Sequence, residues 1–502
     1  MFFFFFPELL WPGNSYSIPE FLKVWIVERL VIISNRVAEI GEKTQIGGLA
    51  VGIADALSRG EGLWVGWNGA VSGPGEDPAT SRKQHEAITT LTFSLTEEEH
   101  ENYYLGFSNR VLWPSFHYRL DLIEFSEAFA KAYSSVNKRF ARTAFPELKS
   151  DDLVWVHDYH LIPVAQELRK LGSRHRIGFF LHIPFPSAEI FSAVPRHEWL
   201  RECLFQFDLI GFQTNRDLEN FRLYLAEHAD VEFISDNLIK AAGRIIRLGA
   251  FPIGIDVEQF AAMANKVDDA VELERMRRDI LGRIQMISAD RLDYSKGLPE
   301  RTRAFLEFLN AYPEYRGFAE YLQIASPTRE DVLAYTEIRT ELEQLSGAVN
   351  GKFAEFNWSP VQYINRSIPR DKLACLFHAS RIGLITPLRD GMNLVAKEYI
   401  AAQPADDPGV LILSKFAGAA EQLEEALIVN PYDAGEVAGA IRRAVTMPLE
   451  ERQNRQRKLL DRIKTTDAHW WQTTFLEALG HAPYVSTQST QSTKAAKIVR
   501  IR

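Results

Sequence analysis

The chain has 502 residues, and its 57 Lys and Arg against 66 Asp and Glu give a formal net charge of −9. Hydrophobic residues make up 46% and charged residues 25%, the composition of an ordinary globular protein with two or three domains. The acidic balance, without a long basic block, argues against nucleic acid or an anionic membrane as a partner. Only two cysteines, Cys203 and Cys375, are present, far apart, so neither a disulfide framework nor a zinc site is expected.

Both ends of the chain differ in character from the rest. Residues 1–7 form a phenylalanine run without the basic start and cleavage site of a signal peptide. Prolines and a glycine interrupt the apolar stretch before it reaches the roughly 18 residues of a membrane span. We interpret residues 1–28 as a disordered extension, with a peripheral contact as the alternative, and residues 483–502 as a flexible polar tail. The cysteine usage indicates a reducing compartment, and we expect a cytoplasmic protein.

Short apolar runs alternate with segments of helical periodicity along the remaining chain. The runs are RLVIISNR at 29–36, DDLVWVHDYH at 151–160, RIGFFLHIPFP at 176–186, FDLIGFQT at 207–214, RIQMISADR at 283–291, and residues 321–325, 383–386 and 410–414. Continuous apolar strands between helices predict an α/β fold in which helices cover both faces of parallel sheets. Residues 70–100 look loop-like.

The strand runs fall into two series, so we predict two doubly wound domains. They are expected at 29–252 and 253–466, and a helix at 467–482 is expected to cross back to the first domain. In such folds, ligands bind beyond the carboxyl ends of the strands. The polar residues that follow each strand are therefore the candidate site residues.

Two features near the start of the first domain suit a phosphate group. Arg36 directly follows an apolar strand, and its guanidinium can bind phosphate with two hydrogen bonds. Gly47 and Gly48 stand where a loop turns into a predicted helix, where free backbone N–H groups meet anions. The alternatives are a surface arginine and a plain tight turn.

Aromatic and histidine residues form the next candidates. Tyr104 and Trp113 lie in an aromatic-rich segment, where they supply either a sugar platform or core packing. The sequence HDYH at 157–160 ends a strand, and Asp158 suits a hydroxyl acceptor better than a metal ligand because no third ligand stands nearby. His182 follows another strand, with a structural role as the alternative.

The second half carries two loop-to-helix segments. Arg291 and Lys296 place two cations at a helix N-terminus, which suits a diphosphate. Asp390 precedes another helix and suits a sugar, and Glu398, just over two turns further, suits ribose hydroxyls. Arg329 is a third candidate phosphate ligand, with a surface salt bridge as the alternative.

At these residues the sequence resembles the trehalose-6-phosphate synthase family of retaining glycosyltransferases. The segments that carry the resemblance are SNR, GGLAVG, LWVGW, FSNRVLWPSFHYR, HDYHLIPVAQELR, GFFLHIPFP, DLIGFQT, RLDYSKGLPER, TPLRDGMNLVAKEY, SKFAGAA and ALIVNPYD. The resemblance implies the GT-B fold, two facing Rossmann-like domains with the active site in the cleft. It implies transfer of glucose from UDP-glucose to glucose 6-phosphate, which gives α,α-trehalose 6-phosphate and UDP.

The resemblance also implies a role for each candidate residue. Its acceptor set comprises Arg36, Tyr104 and Arg329 on the phosphate, Trp67 and Trp113 nearby, and Asp158 on the hydroxyls. Its donor set comprises Arg291 and Lys296 on the diphosphate, Glu398 on ribose, Asp390 with Asn393, Leu394 and Val395 on glucose and phosphate, His182 on glucose, and Gly47 and Gly48 close by. No metal or other cofactor is implied, and family members form dimers or tetramers.

Two other functions remain open at this point. A related synthase that uses glycerol 3-phosphate would share the phosphate ligands, although the HDYH and LWPSFHYR segments favour a sugar phosphate. A catalytically silent regulatory homologue would be expected to have lost some of Arg291, Lys296, Asp390 or Glu398, and all four are present. The base of the nucleotide sugar, uridine, guanosine or adenosine, is not determined. No DxDxT-type phosphatase motif follows residue 480, so a fused phosphatase is not expected.

Overall fold

The structure is a computed structural model that describes residues 29–38, 53, 57, 61–73, 80–265, 282–328 and 333–483. The predictions for residues 1–28 and 484–502 lie outside this part of the chain. The described strands form two sheets, one built from residues 30–250 and the other from residues 284–429. No helix within the described ranges is long and apolar enough to cross a membrane.

The first sheet has ten strands in the order β3-β4-β2-β1-β5-β6-β7-β10-β9-β8. They are β1 (Leu30–Arg36), β2 (Gly62–Ser72), β3 (Thr80–His85), β4 (Ile88–Thr96), β5 (Leu153–His157), β6 (Arg176–Phe180), β7 (Leu209–Phe212), β8 (Glu232–Ser235), β9 (Leu238–Ala241) and β10 (Arg244–Ala250). Neighbouring strands from β4 to β10 run parallel, while β3 and the β8–β9–β10 meander pair antiparallel.

The second sheet has six strands, all parallel, in the order β13-β12-β11-β14-β15-β16. They are β11 (Ile284–Arg291), β12 (Ala319–Ser326), β13 (Val361–Ile364), β14 (Ile382–Ile385), β15 (Val410–Ser414) and β16 (Leu427–Val429). The central strands are buried along nearly their whole length, because helices cover both faces.

Helices connect the strands of both sheets. The α-helices are α1 (Glu97–Glu99), α2 (Trp113–Phe116), α3 (Glu127–Ala144), α4 (Val164–Lys170), α5 (Ala188–Ser192), α6 (His197–Leu204), α7 (Asn215–His228), α8 (Val257–Ala264), α9 (Leu298–Ala311), α10 (Leu333–Phe353), α11 (Arg370–Ala379), α12 (Leu394–Ala402), α13 (Ala434–Thr446), α14 (Leu449–Thr465) and α15 (Ala468–Gly480). A π-helix, His100–Leu112, joins α1 to α2. Short 3₁₀ helices are Leu120–Leu122, Phe145–Glu147, Tyr159–Leu161, Tyr294–Lys296, Pro313–Tyr315 and Gly418–Glu421.

The predicted α/β class and the two parallel sheets are confirmed, and each predicted apolar run contains a strand. The loop-like interpretation of residues 70–100 was wrong, because β3 and β4 lie there. The sequence TSRKQH of β3 is polar and largely exposed, and ITTLTFSLT of β4 is rich in threonine. Neither strand has the continuous apolar run that predicted β1, β5, β6, β7, β11, β12, β14 and β15, and β2, β8, β9, β10, β13 and β16 were not among the predicted runs either.

The last helix, α15, packs on the first sheet. The Phe475 ring lies against the backbone of Gly178 and Gly211, where a Cβ atom would come within 2.9 Å and 2.7 Å of it. The Trp471 and Trp155 ring centroids are 4.9 Å apart. The Ala468 N–H donates to the Ile255 carbonyl at 3.2 Å, so the segments before α8 and before α15 run side by side. The division of the chain at residues 252 and 466 stays a prediction.

The N-terminal cap of α15 predicts a measurable contribution to the stability of the protein. Asp467 accepts a hydrogen bond from the Trp470 N–H at 2.7 Å and so satisfies a helix N-terminal donor. We expect Asp467→Ala to lower the free energy of unfolding by about 1 kcal/mol, the usual cost of losing such a cap. Urea unfolding followed by tryptophan fluorescence measures it. The matched control is Asp461→Ala on α14, an exposed position, and equal midpoints for both variants would contradict the prediction.

Candidate active site

The carboxyl end of β1 presents an arginine beside an aromatic group. The guanidinium carbon of Arg36 lies 6.0 Å from the centroid of Trp67, which is buried, while Arg36 itself is exposed. Gly69, at φ +88°, leaves room for this arginine, since a Cβ atom there would lie 2.6 Å from the guanidinium. The Tyr104 ring packs between Trp67 and His160, at centroid distances of 5.4 Å and 6.0 Å. The first sheet thus holds a cation beside a cluster of aromatic rings.

Asp158 follows β5 in a backbone conformation that side chains seldom adopt. Its φ is +75°, and its N–H donates to the Phe180 carbonyl at 2.8 Å. Its carboxylate accepts from the His182 N–H at 3.1 Å. The unfavourable φ is maintained by these hydrogen bonds, and strain of this kind is concentrated at functional sites. Asp158 and His182 are therefore brought together at adjacent strand ends.

Two histidine rings meet at the same place. Nδ1 of His157 and Nε2 of His182 are 3.0 Å apart. Burial lowers the pKa of His182 to about 3, and burial with the neighbouring His182 lowers the pKa of His157 well below its usual range. Both rings are therefore neutral at physiological pH and serve as hydrogen-bonding groups.

The second sheet presents its own cations after β11. Arg291 ends the strand and is exposed, and its guanidinium carbon lies 5.3 Å from the Trp113 ring of the first half. Lys296 is nearly buried at the end of the Tyr294–Lys296 turn. Asp293 shapes that turn by accepting from the Ser295 N–H at 2.9 Å and from the Tyr335 hydroxyl at 3.0 Å.

Lys296 forms an ion pair with the loop that precedes α12. Its Nζ donates to Asp390 at 2.6 Å, and the Asn393 side chain donates to the same carboxylate oxygen at 3.0 Å. Asn393 also caps α12 by accepting from the Ala396 N–H at 3.1 Å, with φ at +74°. One cluster thus contains a cation, a carboxylate and the N-terminus of α12 at Leu394 and Val395.

Glu398 lies on α12 and is paired with an arginine that the sequence did not identify. Its carboxylate accepts from Arg370 at 3.1 Å. Burial raises the pKa of Glu398, and the Arg370 guanidinium opposes that shift. The Arg370 guanidinium carbon also lies 5.2 Å from the Phe260 ring, which fixes the arginine in place.

Several contacts join the site residues of the first half of the chain to those of the second half. A Cβ atom on Gly391 would come 2.1 Å from the His182 carbonyl, so the Asp390 loop lies directly against the end of β6. The Arg389 guanidinium carbon is 4.0 Å from the Tyr118 ring centroid, and the Arg119 guanidinium carbon is 5.4 Å from that of Tyr294. The loops that carry the described candidate residues of the two halves therefore meet along one cleft.

The candidate residues divide into three groups. The structure places the following residues along this cleft: Arg36, Trp67, Tyr104, Trp113, Asp158, His182, Arg291, Lys296, Asp390, Asn393, Leu394 and Val395. Glu398 lies one turn further along α12, where it pairs with Arg370. Gly47, Gly48 and Arg329 lie outside the described residues. The sequence reasoning missed the pairing roles of His157, Arg370 and Arg389, for which no local motif exists. No group of three or more His, Cys, Asp or Glu side chains that could hold a metal ion occurs within the described ranges.

The family model for glycosyltransferase family 20 matches residues 24–481. The chain is 47% identical over 458 residues to the trehalose-6-phosphate synthase of Sodalis glossinidius, which covers 91% of this chain and 97% of the relative. It is 46% identical over 474 residues to that of Klebsiella pneumoniae, with 94% and 98% covered. The chain belongs to glycosyltransferase family 20.

Solved structures agree with this assignment. An α,α-trehalose-phosphate synthase from Burkholderia xenovorans in complex with glucose 6-phosphate superposes with a TM-score of 0.86 at 46% identity, over 90% of this chain and 100% of that one. An E. coli structure bound with UDP-2-fluoro glucose gives 0.87 at 46% identity, over 90% and 99%. The fold is therefore GT-B, two Rossmann-like domains about a cleft.

Proposed function

We propose that this enzyme transfers glucose from UDP-glucose to glucose 6-phosphate with retention, and that the products are α,α-trehalose 6-phosphate and UDP. The observation that carries the proposal is the cleft itself. Arg291, Lys296 and Glu398 lie on one wall, and Arg36 and Asp158 lie on the other. The relatives at 46–47% identity are named for this reaction, and related structures bind an analogue of one substrate and the other substrate itself.

The wall of the cleft that the second half of the chain forms is assigned to the donor, UDP-glucose. Arg291 and Lys296 bind the diphosphate, whose charge grows as the glucosyl bond breaks, and fixed cations stabilise that charge. Asp390 binds the glucose with the N-terminus of α12 at Asn393, Leu394 and Val395. Glu398 accepts from the ribose hydroxyls. Gly47 and Gly48, which lie outside the described residues, are also assigned to the donor.

The wall of the cleft that the first half of the chain forms is assigned to the acceptor, glucose 6-phosphate. Arg36, Tyr104 and Arg329 bind the phosphate of glucose 6-phosphate, because a guanidinium matches two phosphate oxygens. Trp67 and Trp113 line this end of the cleft. Asp158 accepts from the acceptor hydroxyls. The Asp158 carboxylate also accepts from the His182 N–H, which supports an acceptor site beside the transferred glucose.

We propose front-face attack without a covalent enzyme intermediate. The acceptor hydroxyl attacks on the side from which UDP departs, and the departing phosphate takes the hydroxyl proton, so the α configuration is kept. Retaining glycosidases instead use a nucleophilic carboxylate about 5–5.5 Å from the acid. With a pKa of about 3, His182 is neutral and acts as a hydrogen-bonding group at neutral pH. A trapped glucosyl adduct on Asp158 or Asp390 would contradict this mechanism.

The test is UDP release by the purified chain with UDP-glucose and either glucose 6-phosphate, glycerol 3-phosphate or no acceptor. Release that requires glucose 6-phosphate and yields a phosphorylated non-reducing disaccharide is the expected result. Release with glycerol 3-phosphate alone would favour the related synthase. Absence of turnover with UDP-, GDP- and ADP-glucose would favour the silent homologue, against which the four intact donor residues argue.

Three further properties belong to the same proposal. The reaction proceeds without a metal, because Arg291 and Lys296 supply positive charge at the leaving group, and activity in EDTA tests this. The enzyme forms a homo-oligomer, a dimer or a tetramer as family members do, and light scattering measures it. It acts in the cytoplasm, which agrees with the two free, buried cysteines.

The Arg370–Glu398 pair predicts a pH dependence of donor binding. The raised pKa of Glu398 means that the carboxylate gains a proton as the pH falls through that value, and the neutral carboxyl then accepts more weakly from the ribose hydroxyls. We expect Arg370→Met to raise this pKa further and to move the rise in KM for UDP-glucose to higher pH. Arg370→Lys, which keeps the charge, is the control. KM profiles of both variants measure the effect, and superimposable profiles would contradict it.

A further inference from the structure

A buried histidine that no assigned role uses stands directly behind His182. His157 ends β5, is 1% exposed, and packs its ring 4.5 Å, centroid to centroid, from Trp155. Its Nδ1 lies 3.0 Å from Nε2 of His182, and this contact joins the last residue of β5 to the residue that follows β6 by two positions. One of the two nitrogens must carry a proton, because two bare ring nitrogens repel each other.

The surroundings of His157 decide which nitrogen carries it. Nε2 of His157 is buried without a hydrogen-bond partner among the described residues, and so are the indole N–H groups of Trp155 and Trp471. Both indole rings adjoin the His157 ring, at centroid distances of 4.5 Å and 6.2 Å. A proton on Nε2 would add a third buried donor without an acceptor, whereas a bare nitrogen there is an acceptor beside two unpaired donors.

We propose that His157 is a positioning residue that donates from Nδ1–H to Nε2 of His182 and thereby holds His182 as the Nδ1–H tautomer. Nε2 of His182 is then engaged, so Nδ1–H is its remaining ring group for a ligand. His182 is partly exposed beside Asp158 and Gly391, and its Nδ1 has no hydrogen-bond partner within the described ranges. That this ligand is the glucosyl group of UDP-glucose rests on the proposed function. The neutral His182 ring then donates from Nδ1–H to a hydroxyl oxygen of that glucosyl group.

Two substitutions separate this role from simple packing. His157→Phe keeps an aromatic ring against Trp155 and removes the donor, whereas His157→Asn removes the ring and keeps an amide N–H near the position of Nδ1. We expect His157→Phe to lower kcat/KM for UDP-glucose about tenfold with an unchanged KM for glucose 6-phosphate, and His157→Asn to restore most of that loss. A packing role predicts the reverse order, and that result would overturn the proposal.

Neutron diffraction from deuterated crystals of the full chain reads the tautomer without any turnover. Deuterium on Nδ1 of both His157 and His182 is the expected result, and deuterium on Nε2 of both would overturn the proposal. If the enzyme does not consume UDP-glucose, the proposed function fails, while the diffraction result still decides the tautomer. The two failures are thus distinguishable.

Discussion

Lys296→Ala is expected to lower kcat by roughly 30- to 900-fold, which corresponds to about 2–4 kcal/mol of lost transition-state stabilisation. Lys296 is nearly buried, and its ammonium group is held by Asp390 at 2.6 Å. The cation is therefore fixed before the substrate arrives and needs little reorganisation as the diphosphate departs. Its loss also leaves the Asp390 carboxylate without its ion-pair partner, which adds to the cost.

Steady-state kinetics with saturating glucose 6-phosphate measure this loss. Lys296→Arg, which keeps the charge, should retain more turnover than Lys296→Ala. The matched control is Lys458→Ala on α14, where the side chain is exposed, and its kcat should equal that of the unmodified enzyme. An unchanged kcat in Lys296→Ala would remove Lys296 from the leaving-group role and would leave Arg291 as the sole candidate cation among the described residues that we assign to the diphosphate.

Arg36→Ala is expected to raise KM for glucose 6-phosphate roughly 10- to 150-fold, with a much smaller change in KM for UDP-glucose. The loss corresponds to about 1.5–3 kcal/mol, the contribution of a hydrogen bond to a charged group. Arg36 is exposed beside Trp67 at the end of β1, so its removal leaves the core intact and the free energy of unfolding nearly unchanged.

The comparison of the two substrates decides the outcome for Arg36. Arg142→Ala, at an exposed position on α3, is the matched control and should leave both KM values unchanged. Equal increases in both KM values for Arg36→Ala would contradict the acceptor-phosphate role. A thermal midpoint close to that of the unmodified enzyme would show that the change is one of binding.

The sequence identified the strands that position the site because continuous apolar runs are typical of buried parallel strands. Residues directly after those runs, such as Arg36, Asp158 and Arg291, were candidates for the same reason, since strand ends form the ligand edge of such sheets. Strand β3 was missed because its sequence, TSRKQH, is polar throughout, and β4 was missed because it alternates apolar residues with Thr and Ser instead of forming a continuous apolar run. Their positions depend on pairing with β2 and with each other, which a local pattern does not reveal.

The fold class, the family and the candidate residues could be predicted from the amino-acid sequence, since those depend on local patterns and on residue order. The pairing of the side chains could not, because it joins residues that are distant in the chain. Lys296 and Asp390 are 94 residues apart, Arg370 and Glu398 are 28 apart, and His157 and His182 are 25 apart. Strand order and the close approach of backbones determine which cation meets which carboxylate. They also determine which ring nitrogen remains for a ligand. These are set by the packing of the whole chain.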